Sequence, residues 1–127
     1  MKGKREGNGQ RSWEDGEFYS GEFKNDFLHG KGICIWPSGN VYDGEWENGS
    51  MNGMGVAFNI RKKWRYEGQY KDWKYHGNGI YHYEDGKFYI GGFEKSKRHG
   101  FGSLNSADGQ TVIKCGLWEN DELKKKF

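Results

Sequence analysis

The chain has 127 residues, the size of one domain, with 20 basic and 18 acidic side chains and a net charge of +2. That balance argues against a nucleic-acid binder, which carries a basic face on a strongly basic domain. No run approaches the roughly 18 consecutive apolar residues of a spanning helix, and no apolar segment of a secretory leader follows the charged start Met1-Lys2-Gly3-Lys4-Arg5-Glu6.

The apolar material is unusual in kind. Hydrophobic residues make up only 33%, but aromatics alone are 17% and there are 22 glycines. Rings and bare backbone replace Leu, Ile and Val. Glycine at this level suits disorder, but the ring density argues for packing, because each ring buries a large area at low entropy cost. The two cysteines, Cys34 and Cys115, fit a reducing, cytoplasmic compartment.

In chain order, the first segment, residues 6–18, is a half repeat with Gly7, Gly9 and Gly16 at a regular offset. Tyr19-Ser20-Gly21-Glu22-Phe23 then alternates like a strand. A turn follows at Lys24 to Leu28, and a second strand runs from Gly30 through Ile33 to Trp36. Ser38-Gly39-Asn40 closes the unit. The same pattern returns at Tyr42-Asp43-Gly44-Glu45-Trp46, Tyr66-Glu67-Gly68-Gln69-Tyr70 and Tyr89-Ile90-Gly91-Gly92-Phe93, and in degraded form at Lys114 to Trp118. Full repeats therefore cover 19–41, 42–65, 66–88 and 89–112, a closing half repeat covers 113–120, and 121–127 is a basic tail.

A unit of about 23 residues holds two strands and two turns, with no room for a crossover helix. The expected fold is all-β: an elongated, twisted, open antiparallel meander of tandem hairpins. With the turn centred near Phe27, Phe23 faces Gly30 and Gly21 faces Gly32, so rings lie flat over bare backbone. On this register Gly77→Val costs stability by overpacking, on the order of 1–3 kcal/mol or more. Asp26, Trp73 and Ser96 replace the turn glycine supplied by Gly49, so turn geometry is expected to vary between repeats. The extra residue in Asn59 to Trp64, and the long interval from Gly109 to Gly116, should bulge or bend the array.

Tyr-x-Gly-x-aromatic, then His-Gly-x-Gly, then Asp-Gly at this spacing resembles the MORN repeat over about residues 6–120. The resemblance implies an open sheet used as a scaffold in ciliary or cytoskeletal assemblies, or as a lipid-associated module. A choline-binding type of aromatic hairpin is the alternative. The His-Gly-x-Gly motif and the charged start speak against it.

Catalytic chemistry is not expected, and no cofactor is implied. The Gly30-Lys31-Gly32 type of pair lacks a third glycine and a following helix, so it is no phosphate cradle. His29, His76 and His99 occupy different rungs, too far apart to share one metal ion. The expected role is binding a protein partner, a peptide or helix, on an aromatic groove of Tyr42, Trp46, Tyr66, Tyr70, Tyr81, Tyr83, Tyr89 and Phe93. The competing reading places those rings in the sheet's own core, with Trp36, Phe58 and Phe101 in core or groove. A second copy of the chain could also pair with an end strand. The alternative function is an anionic membrane surface held by Arg61, Lys62, Lys63, Arg65, Lys124, Lys125 and Lys126.

Overall fold

A computed structural model of the chain describes residues 5–127; the start at Met1 to Lys4 lies outside them. The described chain forms eleven strands and no helix. They are β1 (Gly7–Ser12), β2 (Phe18–Lys24), β3 (Phe27–Ile35), β4 (Asn40–Glu47), β5 (Ser50–Asn59), β6 (Arg65–Lys71), β7 (Lys74–His82), β8 (Phe88–Glu94), β9 (Lys97–Asn105), β10 (Val112–Glu119) and β11 (Glu122–Lys126). All lie in one open antiparallel sheet in sequence order, as the hairpin periodicity predicts. The segment read as a basic tail is β11, paired with β10 through Trp118 opposite Leu123. A strand forms there because Glu122 to Lys126 follows a turn and alternates around Leu123.

Turn geometry does not vary. The central residues Asn25-Asp26, Asn48-Gly49, Asp72-Trp73, Lys95-Ser96 and Asn120-Asp121 all have positive φ at both positions. These are two-residue turns whose twist matches the flanking strands. What holds the non-glycine copies is a bond to the preceding hairpin. The second turn residue donates its N–H backward: Asp26 to the Arg5 carbonyl (3.0 Å), Gly49 to Leu28 (2.8 Å), Trp73 to Met51 (3.2 Å), Ser96 to Tyr75 (3.1 Å) and Asp121 to Arg98 (3.1 Å). At either end of that row an arginine also pairs with the turn aspartate, Arg5 with Asp26 at 2.8 Å and Arg98 with Asp121 at 3.2 Å.

The register corrects the expectation in one respect. Gly21 does face Gly32, but Phe23 faces Leu28 rather than Gly30. Between these pairs one residue, Glu22, stands opposite three, His29 to Lys31. The same irregularity recurs between Gly44 and Trp46, Gly68 and Tyr70, and Gly91 and Phe93. The first glycine of each G-x-G pair therefore sits in a bulge with left-handed backbone (φ 65° at Gly30, 67° at Gly77). The exposed bulge amide is capped from across the strand. Glu22 accepts from the Lys31 N–H (3.0 Å), Glu45 from Met54 (2.6 Å) and Gln69 from Asn78 (2.7 Å). Gly77 is thus constrained by its φ and by Gln69, whose amide oxygen occupies the space a Cβ would need, and not by an overlying ring.

The second glycine carries the ring. Tyr19, Tyr42, Tyr66 and Tyr89 are fully buried over Gly32, Gly55, Gly79 and Gly102, where any Cβ would collide with the phenol. Each hydroxyl donates to the carbonyl three residues on: Glu22, Glu45 and Gln69 at 2.8 Å, Gly92 at 3.0 Å. Phe23, Trp46, Tyr70, Phe93 and Trp118 fill the spaces between, edge-on, with centroids near 5 Å. The core is this single aromatic layer on one face of the sheet. On the opposite face Ile33, Ile35, Met54, Ile90 and Phe101 remain substantially exposed.

The irregular intervals are absorbed locally. Between β5 and β6 the ladder is continuous, and the extra residue lies in the loop. That loop folds back on the preceding turn: Ile60 N–H donates to the Gly39 carbonyl (2.9 Å) and Arg61 to the Ser38 carbonyl (2.5 Å). The long interval after Gly109 becomes a register shift between Val112 and Lys114, as expected.

Candidate interaction groove

Six of the eight rings proposed from sequence do not offer a surface. Tyr42, Trp46, Tyr66, Tyr70, Tyr89 and Phe93 are between 0% and 6% exposed, because they are the core of a sheet that has no second layer. Their polar tips are mostly spent internally too. Trp46 donates to the Gly32 carbonyl (3.1 Å), and Trp118 likewise to Gly102 (2.9 Å). Tyr70 is the exception: its buried hydroxyl has no partner among the described residues. Trp36 and Tyr75 are half-buried against this layer, Phe58 is half-buried, and Phe101 is exposed on the far face.

Tyr81 and Tyr83 are the two that reach the surface, and they line two adjoining recesses. One, of about 270 Å³, is bounded by Tyr75, Tyr81, Tyr83, Phe93, Ser96, Arg98 and Asp121. The other, of about 320 Å³, lies between Trp64, Tyr81, Tyr83, Glu84 and Asp85. Trp64 stacks parallel to Tyr81 (6.2 Å, 8°), Tyr83 leans on Tyr81 at 4.8 Å, and Tyr75 stands 5.9 Å from it. Four half-buried rings therefore form one open groove along β7 and its approach from β6. Burial raises the Tyr81 and Tyr83 phenols above the ordinary value of 10, and Arg98 beside Tyr83 pulls that group partly back. All stay protonated near neutrality and present O–H donors.

Trp64, Tyr75 and Arg98 were not singled out from sequence. The signal that finds them is disagreement between repeats. The position of Tyr75 holds Leu28, Met51 and Arg98 in the others, and that of Tyr81 holds Cys34, Ala57 and Leu104. Trp64 belongs to the stretch carrying the extra residue. Rings at these positions are surplus to the repeated core and project beyond it.

The MORN repeat family model matches residues 1–18, 19–41, 42–57, 66–88 and 89–111. The chain belongs to the MORN repeat family. No curated protein sequence matches it. The MORN array is interrupted in the match where the β5–β6 loop and Trp64 lie, residues 58–65. MORN repeats are protein- or membrane-interaction modules and are non-enzymatic as a family.

The basic residues of this MORN sheet are dispersed. Arg61 is engaged with turn carbonyls, Arg65 pairs with Glu67 at 2.6 Å and Lys124 with Glu122 at 2.9 Å. Lys62 and Lys63 sit in the β5–β6 loop, whereas Lys125 and Lys126 are on β11, exposed, five strands from β6. At ~4.8 Å per strand that is over 20 Å, so the four do not form one patch. Among the described residues no three His, Cys, Asp or Glu side chains are placed to hold a metal ion. His82 lies 3.8 Å from Glu67 and His99 lies 3.4 Å from Glu94. Both cysteines are free thiols, Cys34 on β3 and Cys115 on β10.

Proposed function

We propose that this MORN array is a non-catalytic scaffold that binds a segment of a protein partner in the groove of Trp64, Tyr75, Tyr81 and Tyr83, within a cytoplasmic assembly of the ciliary or cytoskeletal kind. One observation carries the reading. Four half-buried rings, Trp64, Tyr75, Tyr81 and Tyr83, line two adjoining open recesses, whereas Tyr42, Trp46, Tyr66, Tyr70 and Tyr89 are buried in the core layer. Exposed aromatic clusters of this kind are typical anchors of protein interfaces.

The test is a comparative pull-down from a ciliated cell extract, using the wild-type chain and a Trp64→Ser/Tyr81→Ser/Tyr83→Ser variant with unchanged far-ultraviolet dichroism. Loss of a specific set of captured proteins by the variant supports the reading, and an unchanged set refutes it. Salt-sensitive sedimentation with anionic vesicles that requires Lys62, Lys63, Lys125 and Lys126 would replace it with the membrane function.

A further inference from the structure

We infer that the groove's ligand is a proline-rich segment in the polyproline II conformation, with a basic residue at the end that lies over Glu84. The inference rests on the groove being the binding surface and adds the class of peptide it takes.

Around the core layer, polar ring tips other than the Tyr70 hydroxyl are bonded to the chain's own carbonyls: Tyr19, Tyr42, Tyr66 and Tyr89 by their hydroxyls, Trp46 and Trp118 by their indoles. In the groove, the Trp64 indole N–H and the Tyr75, Tyr81 and Tyr83 hydroxyls donate to no described residue. The surface thus alternates flat apolar planes with unspent donors. A polyproline II segment is its complement. Its carbonyls have no internal partner, prolines have no N–H to satisfy, and its pyrrolidine rings are flat apolar faces. A helix has its backbone bonds internally satisfied, and would meet these donors with side chains alone. An extended strand needs an edge to pair with, and the groove lies on a sheet face between paired strands.

Charge gives the direction. Glu84 and Asp85 border the outer recess, and Asp85 is partly occupied by Lys87 at 3.6 Å. Glu84 is exposed and has no ion-pair partner among the described residues. At the inner end Arg98 is bonded to Asp121. A basic ligand residue is therefore favoured at the Glu84 end, where the carboxylate is unpaired among the described residues, and gains nothing at the inner end, where Asp121 is already taken by Arg98.

The experiment titrates the isotope-labelled chain with decaproline carrying a terminal Arg-Arg, and separately with an amphipathic helical peptide of equal length and charge. The readout is the Trp64 indole N–H signal, assigned by Trp64→Phe. We expect the proline peptide to shift that signal in a saturable way. Tyr81→Phe and Tyr83→Phe, which keep the planes and remove the donors, should each weaken it about fivefold. Glu84→Lys should weaken the Arg-Arg peptide and leave decaproline alone unaffected. No shift at millimolar proline peptide, or full affinity in both phenylalanine variants, overturns the inference. If the helical peptide then shifts the same signal, only the ligand class falls; if neither peptide does, the groove falls with it.

Discussion

Replacing Gly79 by alanine separates the two jobs that glycine does in this sheet. Gly79 has ordinary backbone angles, so on conformational grounds alone alanine should stabilise by about 0.4–1 kcal/mol through the unfolded chain. The ring above it predicts the opposite sign. A Cβ would stand 2.6 Å from both Cε1 and Cζ of Tyr66, and nearer still to the hydroxyl oxygen, where ordinary contact begins at 3.4 Å. The phenol must move by most of an ångström. It is fully buried, stacked on Tyr75 at 3.8 Å and wedged against Tyr70 and Phe93, so it has nowhere to go without disturbing them. Overpacking costs about 1–3 kcal/mol. Pulling the hydroxyl off the Gln69 carbonyl adds about 1 kcal/mol. A net loss of about 3 kcal/mol lowers the melting temperature of a chain this long by roughly 10 °C. Thermal unfolding followed by near-ultraviolet dichroism reads it directly. Gly109→Ala is the control, since no atom lies within 4 Å of that Cβ and only its φ of 75° is unfavourable. A Gly79→Ala protein as stable as the wild type, or no worse than Gly109→Ala, would refute the ring-over-glycine account of the core.

Tyr70→Phe should raise stability by about 1 kcal/mol, because it deletes a buried hydroxyl without a partner, whereas Tyr66→Phe should cost about the same by losing a bond to the Gln69 carbonyl. Equal losses in both variants, measured by urea midpoints, would show that the Tyr70 hydroxyl is satisfied. Alkaline titration should unfold the array. Burial pushes the Tyr19 and Tyr89 phenols up to about 12 from an ordinary 10, so the folded state holds these protons more tightly. Stability is then full below pH 10 and is lost as pH rises through 12. Phenolate absorbance from these rings should appear together with unfolding; ionisation near pH 10 in a folded sheet would contradict it.

The fold was legible because the repeat is strict. Tyr-x-Gly-x-aromatic at a fixed interval specifies a meander, and the opposed pair Gly21 and Gly32 follows from it. Two features were hidden. The first is the bulge, in which one residue faces three. Simple alternation through His29-Gly30-Lys31 gives no hint of it, and only the left-handed φ of Gly30 and the reach of Glu22 explain it. The second is which rings are covered. In a sheet without a second layer, six large aromatics in a stripe are expected to be half exposed. Here they lie down on glycines and bury one another. Tyr81 escapes because Cys34, Ala57 and Leu104 suffice at the equivalent positions, so its site is overfilled; Tyr83 stands at a position whose occupant varies, Trp13, Trp36, Asn59 and Ser106 in the other units. Constant rings build the sheet, and variant rings stand half-buried at its margin.

The backward-reaching bonds of the turns give the molecule a grain. Each of the five two-residue tips leans on its predecessor, like shingles laid from one eave, and none depends on a successor for that bond. Copying one unit in place would add a shingle and push the others along without re-cutting any of them. Reach can therefore be adjusted in whole units while the recess stays with the unit that bears Tyr81 and Tyr83.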